Sequence, residues 1–368
     1  MSVPLPGDRT ESYDILSPLD TDYYGVFDDV SGNDLDAWRR ARTVVDEVSG
    51  DLFDAWESAS YPYEKVLASL GKNDVMADGI EHDGLTHLSP LAAGLVNMEL
   101  SRGDGSLGTI LAVQGGLALR TLAFFGSDEQ KDAWLAKLDS GEVAGSFALT
   151  EPIHGSDSTS LETTATREGD EWVLRGGKKW IGNGASGGIT FVWARVDDPT
   201  DADHGKVGCF LVPQDTPGYD ASVITGKVSL RAIHQAHIQL NGARIPLSGR
   251  LPGAHSFKDT SRVLYATRSG VAWSALGHAT ACYEAALQYA NERIQFGKPL
   301  AGFQLVQEKL TRMLSQLTGM QLYCRRLAHI LRQSVQGTFL RVTGQTHARF
   351  HLTFSTIQTT IWLFPFVP

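Results

Sequence analysis

The chain has 368 residues, which is too long for a single hydrophobic core and predicts two or three domains. Hydrophobic residues make up 42% and charged residues 20%, as in ordinary globular proteins. The formal net charge of -10 argues against a nucleic-acid partner, because no basic stripe is available to meet the phosphates. A small anionic ligand needs only a few local cations and stays possible.

The sequence lacks the features that would indicate a secreted, membrane-spanning or metal-binding protein. Residues 1–20 lack a basic region followed by an apolar stretch, so no secretion signal is expected. No run reaches the roughly 18 apolar residues of a membrane span. The widely spaced Cys209, Cys282 and Cys324 predict no metal site and favour buried, apolar roles. A cytoplasmic protein without a membrane span is therefore expected.

The first predicted domain, residues 20–142, is helical. Leu35, Trp38, Val44 and Val48 recur at steps of three to six residues among charged side chains, the pattern of an amphipathic helix.

Two further helices are predicted in this domain. Residues 107–125 resemble a mostly buried helix interrupted by Gly115-Gly116. Ser127 and Gln130 form a capping-box pattern at the start of the next helix, and Gly141 is placed to end it.

The second predicted domain, residues 143–250, is an antiparallel β-barrel or sandwich. Two β-rich runs at 162–167 and 171–174 flank a glycine, which predicts a hairpin. Residues 237–240 alternate in polarity before Asn241-Gly242, which predicts a second turn.

The third predicted domain, residues 255–335, is a helical bundle that we expect to be incomplete. Apolar residues recur at helical spacing from about 257 to 292 and from about 304 to 333. Residues 309–368 contain no Asp or Glu, and the segment 336–368 loses the helical pattern. This atypical tail is either a non-native sequence or an unusual β or disordered segment.

The segment Phe147-Ala-Leu-Thr-Glu-Pro-Ile-His-Gly-Ser-Asp157 carries the strongest suggestion of chemistry. The hydroxyls of Thr150 and Ser156, with loop amides near Gly155, form a polar cradle suited to a planar ring with acceptors along one edge. A linker whose Thr, Ser and Asp residues cap local turns is the alternative that residue types leave open. His154 in this loop is interpreted as loop packing rather than as a proton donor.

This segment resembles the Thr-Glu-Pro…Gly-Ser-Asp signature of acyl-CoA dehydrogenases. Lys178-Lys-Trp-Ile-Gly-Asn183 resembles the family's Lys-x-Trp-Ile-Thr-Asn, and residues 289–300 with Gln304 resemble its Arg-x-x-Phe-Gly…Gln motif. Gly226-Lys-Val-Ser-Leu-Arg231 resembles the glutaryl-CoA dehydrogenase branch in particular. The resemblance covers roughly residues 20–333 and implies a helix–sheet–helix α+β fold.

The resemblance implies FAD as the cofactor. Thr150 would donate to the isoalloxazine ring, Trp180 would stack near it, and Gly182 replaces a family threonine, so a hydroxyl is lost there. Arg293 would reach the FAD of a neighbouring subunit, which implies a homo-oligomer; a solvated cation at a helix end is the alternative. The full set of implied cofactor residues is Phe147, Leu149, Thr150, Ser156, Trp180, Ile181, Gly182, Arg293, Phe296 and Gln304.

The resemblance also implies an acyl-CoA substrate and an electron-transfer flavoprotein or a similar acceptor as partner. The implied substrate-binding residues are Ser156, Ser261, Tyr265, Thr267 and Arg268. A salt bridge to a nearby acid is the alternative role for Arg268. Leu107 lies where the glutaryl branch has an arginine, so an ordinary acyl chain is expected in place of glutaryl.

No catalytic base is assigned. The family's reaction needs a carboxylate to remove the α-proton of the thioester, and the Tyr/Phe-Glu-Gly-Thr motif that usually supplies it is not found. Some members of the family place the base on an earlier helix. The matching residue here is Thr267, whose hydroxyl cannot serve as the base. We therefore expect an FAD-dependent acyl-CoA dehydrogenase of impaired activity; the alternatives are an inactive flavin- or CoA-binding or partner subunit, and a chain too unstable to fold.

Overall fold

The structure is a computed structural model that describes residues 22–77, 80 and 82–335, with side chains described to residue 332. Helices occupy the first and last parts of the described chain and a sheet lies between them, which confirms the predicted architecture. The tail predicted over residues 336–368 lies outside the described residues, and the domain limits stay predictions.

The N-terminal part is made of helices packed around apolar side chains. Trp38, Val44 and Val48 are buried as their spacing predicts, and Ser127 and Gln130 form the predicted capping box. Gly141 follows the last helix with φ +75°, a conformation that favours glycine. The helices are α1 (Gly32–Val48), α2 (Leu52–Ser58), α3 (Tyr63–Lys72), α4 (Pro90–Gly103), α5 (Gly105–Leu111), α6 (Arg120–Phe125) and α7 (Asp128–Asp139).

The helical run Gly105–Phe125 is continuous. A π-helical segment, Ala112–Leu119, joins α5 to α6, so Gly115 and Gly116 widen the helix and do not interrupt it. By length and composition alone this run could cross a membrane, but 72% of its most apolar window is buried within the protein. A core helix passes the same test, so the run is weak evidence for a span.

The middle of the chain folds into one seven-stranded sheet in the order β1-β4-β2-β3-β7-β6, with β5 paired to β4. Most pairings are antiparallel, including the predicted β2–β3 hairpin, but β1 and β2 both run parallel to β4. The strands are β1 (Gly145–Ala148), β2 (Thr164–Glu168), β3 (Glu171–Gly182), β4 (Ile189–Asp197), β5 (Val207–Pro213), β6 (Tyr219–Val223) and β7 (Gln235–Pro246).

The turn predicted at Asn241-Gly242 is wrong. Strand β7 runs through both residues, and the pairing with β3 skips Gly242, which has φ +79°. The glycine therefore forms a bulge in a continuous strand. The prediction failed because a glycine with positive φ is suited both to a turn and to a bulge.

The C-terminal part contains α8 (Phe257–Glu292) and α9 (Gln304–Val335), joined by a small hairpin of β8 (Ile294–Gln295) and β9 (Lys298–Pro299). These helices match the predicted spans. Cys209 and Cys324 are buried as expected, but Cys282 is exposed because its position on α8 faces outward.

One apolar cluster joins the sheet to the helices and positions the candidate site. It gathers Phe125 from α6, Phe147 and Leu149 from the end of β1, Trp193 from β4 and Val263 from the start of α8. The loop that leaves β1 therefore begins in the core of the molecule.

Candidate functional site

The loop after β1 begins buried and becomes polar. Phe147 and Leu149 are 8% and 6% exposed, and the Phe147 ring lies 5.7 Å from that of Trp193. Thr150, the next residue, is half-buried, whereas Ser156 further along the loop is exposed. His154 Nε2 lies 3.2 Å from Glu162 Oε1, which accepts when that nitrogen carries a proton, and the packing role of His154 stays a prediction.

Trp180 lies beside this loop on a bulge of β3. The pairing of β3 with β7 passes from Lys179 to Ile181, and Trp180 has φ +65°, a strained value for a bulky residue. Its side chain is 50% exposed while Ile181 is buried. Lys179 N donates to Thr150 O at 2.9 Å, so the bulge and the loop are joined through the backbone. The structure thus brings the predicted Thr150 and Trp180 together.

Gly182 has no room for the threonine that the family places there. A Cβ on Gly182 would lie 2.8 Å from Val113 Cγ2 and 3.3 Å from Ile233 Cδ1. Val113 belongs to the π-helical segment, so the space that a side chain at position 182 would need is occupied by that helix. Only backbone groups are available at this position.

A buried ion pair under the loop was not assigned any role from the sequence. Lys178, on β3, is fully buried, and its Nζ donates to Glu151 Oε1 at 2.9 Å, to Leu149 O at 3.1 Å and to Trp193 O at 2.7 Å. Glu151 also accepts from Thr163 N at 2.9 Å. Both residues stand inside the recognised motifs, but residue type alone did not show that Lys178 is buried.

The pair is held in its charged form. Burial disfavours the carboxylate of Glu151, but the Lys178 charge and hydrogen bonds from Glu162, Thr163 and Lys178 outweigh burial and lower the pKa of Glu151 to about 2. Burial lowers the pKa of Lys178 to about 8, against the opposing effect of Glu151. The Lys178 ammonium and the Glu151 carboxylate therefore face each other at neutral pH.

Gln114 is a second residue that sequence reasoning missed. It is fully buried in the π-helical segment and donates through Nε2 to Leu138 O at 2.9 Å and Val143 O at 2.8 Å. Its Oε1 accepts from Gly145 N at 2.6 Å. One amide thus connects the helices to the first residue of β1.

The predicted substrate residues on α8 divide into two sets. Ser261, Tyr265 and Arg268 are exposed and, at steps of four and three residues, share one face of the helix. Thr267 is half-buried on another face, and its hydroxyl donates to Leu264 O at 3.1 Å. Arg268 forms no ion pair with any residue that the structure describes, so the salt-bridge alternative finds no partner there.

The remaining predicted cofactor residues lie on the hairpin between α8 and α9. Phe296, at its tip, has φ +51° and is 94% exposed, and Arg293 and Gln304 are also exposed. The hairpin packs against α8. In a single copy these side chains therefore face solvent.

The fold is that of the acyl-CoA dehydrogenase family, to which the chain belongs. Models of the acyl-CoA dehydrogenase N-terminal, middle and C-terminal domains match residues 35–142, 146–243 and 257–341. The resemblance drawn from the sequence motifs is confirmed.

Among solved structures, glutaryl-CoA dehydrogenase from Mycobacterium smegmatis is 38% identical, with a TM-score of 0.78, 84% of this chain and 78% of that chain covered. A structure of a glutaryl-CoA dehydrogenase from the same organism in complex with FADH2 is 34% identical, with a TM-score of 0.77, 82% of this chain and 76% of that one covered.

Among curated relatives, the mitochondrial short-chain specific acyl-CoA dehydrogenase of Homo sapiens is 36% identical over 73% of this chain. The enzyme of the same name from Bos taurus is 38% identical over 66% of this chain. The chain spans 65% of the human relative and 58% of the bovine one, less than two-thirds of each.

Proposed function

We propose that the chain binds FAD and an acyl-CoA thioester and belongs to the enzymes that remove hydrogen from the α and β carbons of the acyl group. The observation that carries this proposal is the half-exposed Trp180, held on a strained bulge whose preceding residue, Lys179, is hydrogen-bonded to Thr150 O. Strained residues persist where the surroundings over-determine them, and such places are commonly ligand sites.

The residues present fit a flavin. The half-exposed indole of Trp180 could stack on a flat ring, and the half-buried hydroxyl of Thr150 could donate to its polar edge. Phe147, Leu149 and Ile181 are buried and support these two residues from the core side. An aromatic contact contributes on the order of 1 kcal/mol beyond buried area. Bound there, FAD would supply the acceptor for the hydrogen that leaves the β-carbon. Gly182 can offer only its backbone, and Ser156 would lie at the boundary with the substrate.

We further propose a homo-oligomer in which Arg293, Phe296 and Gln304 of one copy reach the FAD of another. Their exposure in a single copy supports this, because an almost fully exposed Phe296 at a hairpin tip is suited to insertion into a second molecule. Arg293 would contribute a guanidinium for the pyrophosphate.

The exposed face of α8 is proposed to hold the CoA part of the substrate. Arg268 supports this, because its charge has no ion-pair partner in the described chain and CoA is anionic. Ser261 and Tyr265 lie along the same face, with Thr267 turned toward the helix backbone. Leu107 is fully buried and uncharged, so we propose a short or branched acyl chain in preference to glutaryl.

A second candidate is a flavin- and CoA-binding chain that turns over slowly or not at all. The observation that favours it is the lack of any Asp or Glu in residues 309–368, together with Thr267, which has a hydroxyl in place of a carboxylate. An electron-transfer flavoprotein is the proposed acceptor for an active chain; one structural neighbour, 25% identical, carries that name. The cytoplasmic location stays a prediction.

The test is the visible absorption spectrum of the purified chain before and after addition of butyryl-CoA, with glutaryl-CoA as the comparison. Bleaching of a flavin spectrum by butyryl-CoA would support the dehydrogenase and contradict the inactive candidate. A shift without bleaching would support the second candidate. A protein that takes up no FAD from solution would contradict both.

A further inference from the structure

We propose that Lys178 is a positioning residue for the cofactor: its buried ammonium holds Thr150 and Trp180 in the arrangement that receives the flavin ring. This inference rests on the proposed function and extends it to a residue that acts through its neighbours without touching the cofactor.

The ammonium of Lys178 joins three separate segments of the chain. Its three acceptors are Leu149 O and Glu151 Oε1 in the loop and Trp193 O on β4, at 2.7 to 3.1 Å. An ammonium has three N–H donors, so every donor is used.

The backbone around Thr150 is consequently held on both sides. The carbonyl before it, Leu149 O, accepts from Lys178, and its own carbonyl accepts from Lys179 N. The residue after it, Glu151, accepts from Lys178 and from the amides of Glu162 and Thr163. Thr150 is therefore a half-buried residue between two neighbours that are both bonded to Lys178.

Lys178 also governs the bulge that carries Trp180. The strand is anchored at Lys178, which pairs with Ile238 on β7, and the irregular residue follows after Lys179. A left-handed conformation at a tryptophan persists only when its surroundings impose it. The bonds of Lys178 and of Lys179 N to the same loop supply that constraint.

Stability alone does not explain an ion pair in this place. Apolar residues of similar volume commonly stabilise a buried site as well as an ion pair does or better. The pair has instead the directional bonds that apolar packing lacks. Those bonds join it to the loop, to β4 and to the two residues that precede β2.

The first experiment compares FAD binding by the full chain and by Lys178→Met, with Glu151→Gln as a milder second variant. Lys206→Met is the matched control, because Lys206 also bonds a carbonyl and a carboxylate, Ala202 O and Asp203, but at the surface of the same sheet. Flavin fluorescence gives the dissociation constant of the folded fraction, and visible circular dichroism reports the environment of the bound ring.

We expect the FAD dissociation constant to rise by about tenfold or more in Lys178→Met, with an altered visible circular dichroism spectrum, because small misplacements at a site are costly. Lys206→Met should match the wild type. A merely structural role would lower the melting temperature and leave both flavin readouts of the folded fraction unchanged, which would overturn the inference. A wild-type chain that binds no FAD would instead remove the proposed function, and the inference with it.

Amide hydrogen exchange on the flavin-free wild type keeps the inference testable if Lys178→Met does not fold. We expect the amides of Lys179, Glu162 and Thr163 to be protected before any cofactor is added, since their acceptors lie in the positioned loop. Protection should fall in Glu151→Gln. Rapid exchange of these amides in the flavin-free wild type would show that the loop is not held in advance and would contradict the proposal.

Discussion

Two groups of charges on the same sheet have similar geometry and opposite surroundings. Lys178 and Glu151 approach to 2.9 Å with side chains 0% and 4% exposed. At the other end of β3, Arg244 approaches Glu168 to 2.5 Å and Glu171 to 3.0 Å, with all three side chains between 40% and 49% exposed. Distance therefore does not distinguish a pair that holds the fold from one that water screens; burial does.

The largest expected effect comes from breaking the buried pair. Lys178→Met leaves the Glu151 carboxylate buried without its counter-charge, so the free energy of unfolding should fall by about 3–5 kcal/mol. Urea unfolding followed by far-ultraviolet circular dichroism measures it. If the free energy of unfolding fell no more in Lys178→Met than in a variant of an exposed charge such as Arg244→Met, water would have to reach the buried pair.

Acid should weaken the buried pair in a defined range. The pKa of Glu151 is about 2 in the folded chain against an ordinary 4.5, so its contribution is complete above about pH 4.5 and is lost as the pH falls toward 2. The loss should reach at most about 3 kcal/mol. Urea unfolding at a series of pH values, in the wild type and in Glu151→Gln, tests this. Equal pH dependence in the two proteins would contradict the assignment.

A moderate effect is expected where the helices meet the sheet at Gly182. Gly182→Thr forces a side chain against Val113, and we expect a loss of about 1–3 kcal/mol from overpacking. Val113→Ala should recover part of that loss in the double variant. A thermodynamic cycle of the four proteins measures the coupling. Additive effects would show that the two positions do not compete for space.

The smallest effect is expected at the exposed group. Arg244→Met removes both surface pairs, yet the urea midpoint should stay close to that of the wild type, because solvent screens these charges. Raising the salt concentration should shrink any residual difference. A large loss of stability in Arg244→Met that does not depend on salt would show that the exposed charges contribute to stability as the buried pair does.

The sequence anticipated the elements whose periodicity and caps are local. The capping box at Ser127, the helical spans of α8 and α9 and the β2–β3 hairpin follow from nearby residues, and the structure confirms them. The turn expected at Gly242 failed because a left-handed glycine serves a turn and a bulge equally well, and only the partner strand decides between them.

The candidate site shows the same division. Its motifs were recognised from Thr150 and Trp180, but the roles of Lys178 and Gln114 were not, because their partners lie between 15 and 31 residues away along the chain. The FAD, substrate and subunit contacts of the remaining residues stay predictions.

By itself the amino-acid sequence determined the class of fold and the family of this protein, since hydrophobic spacing, caps and motifs are properties of short segments. Tertiary structure alone decided which charges are buried, which glycine has no room for a side chain and which residues meet beneath the loop. The physical reason is that burial and hydrogen bonding depend on segments distant in the chain, and the energy of a charge changes most when those segments exclude water from it.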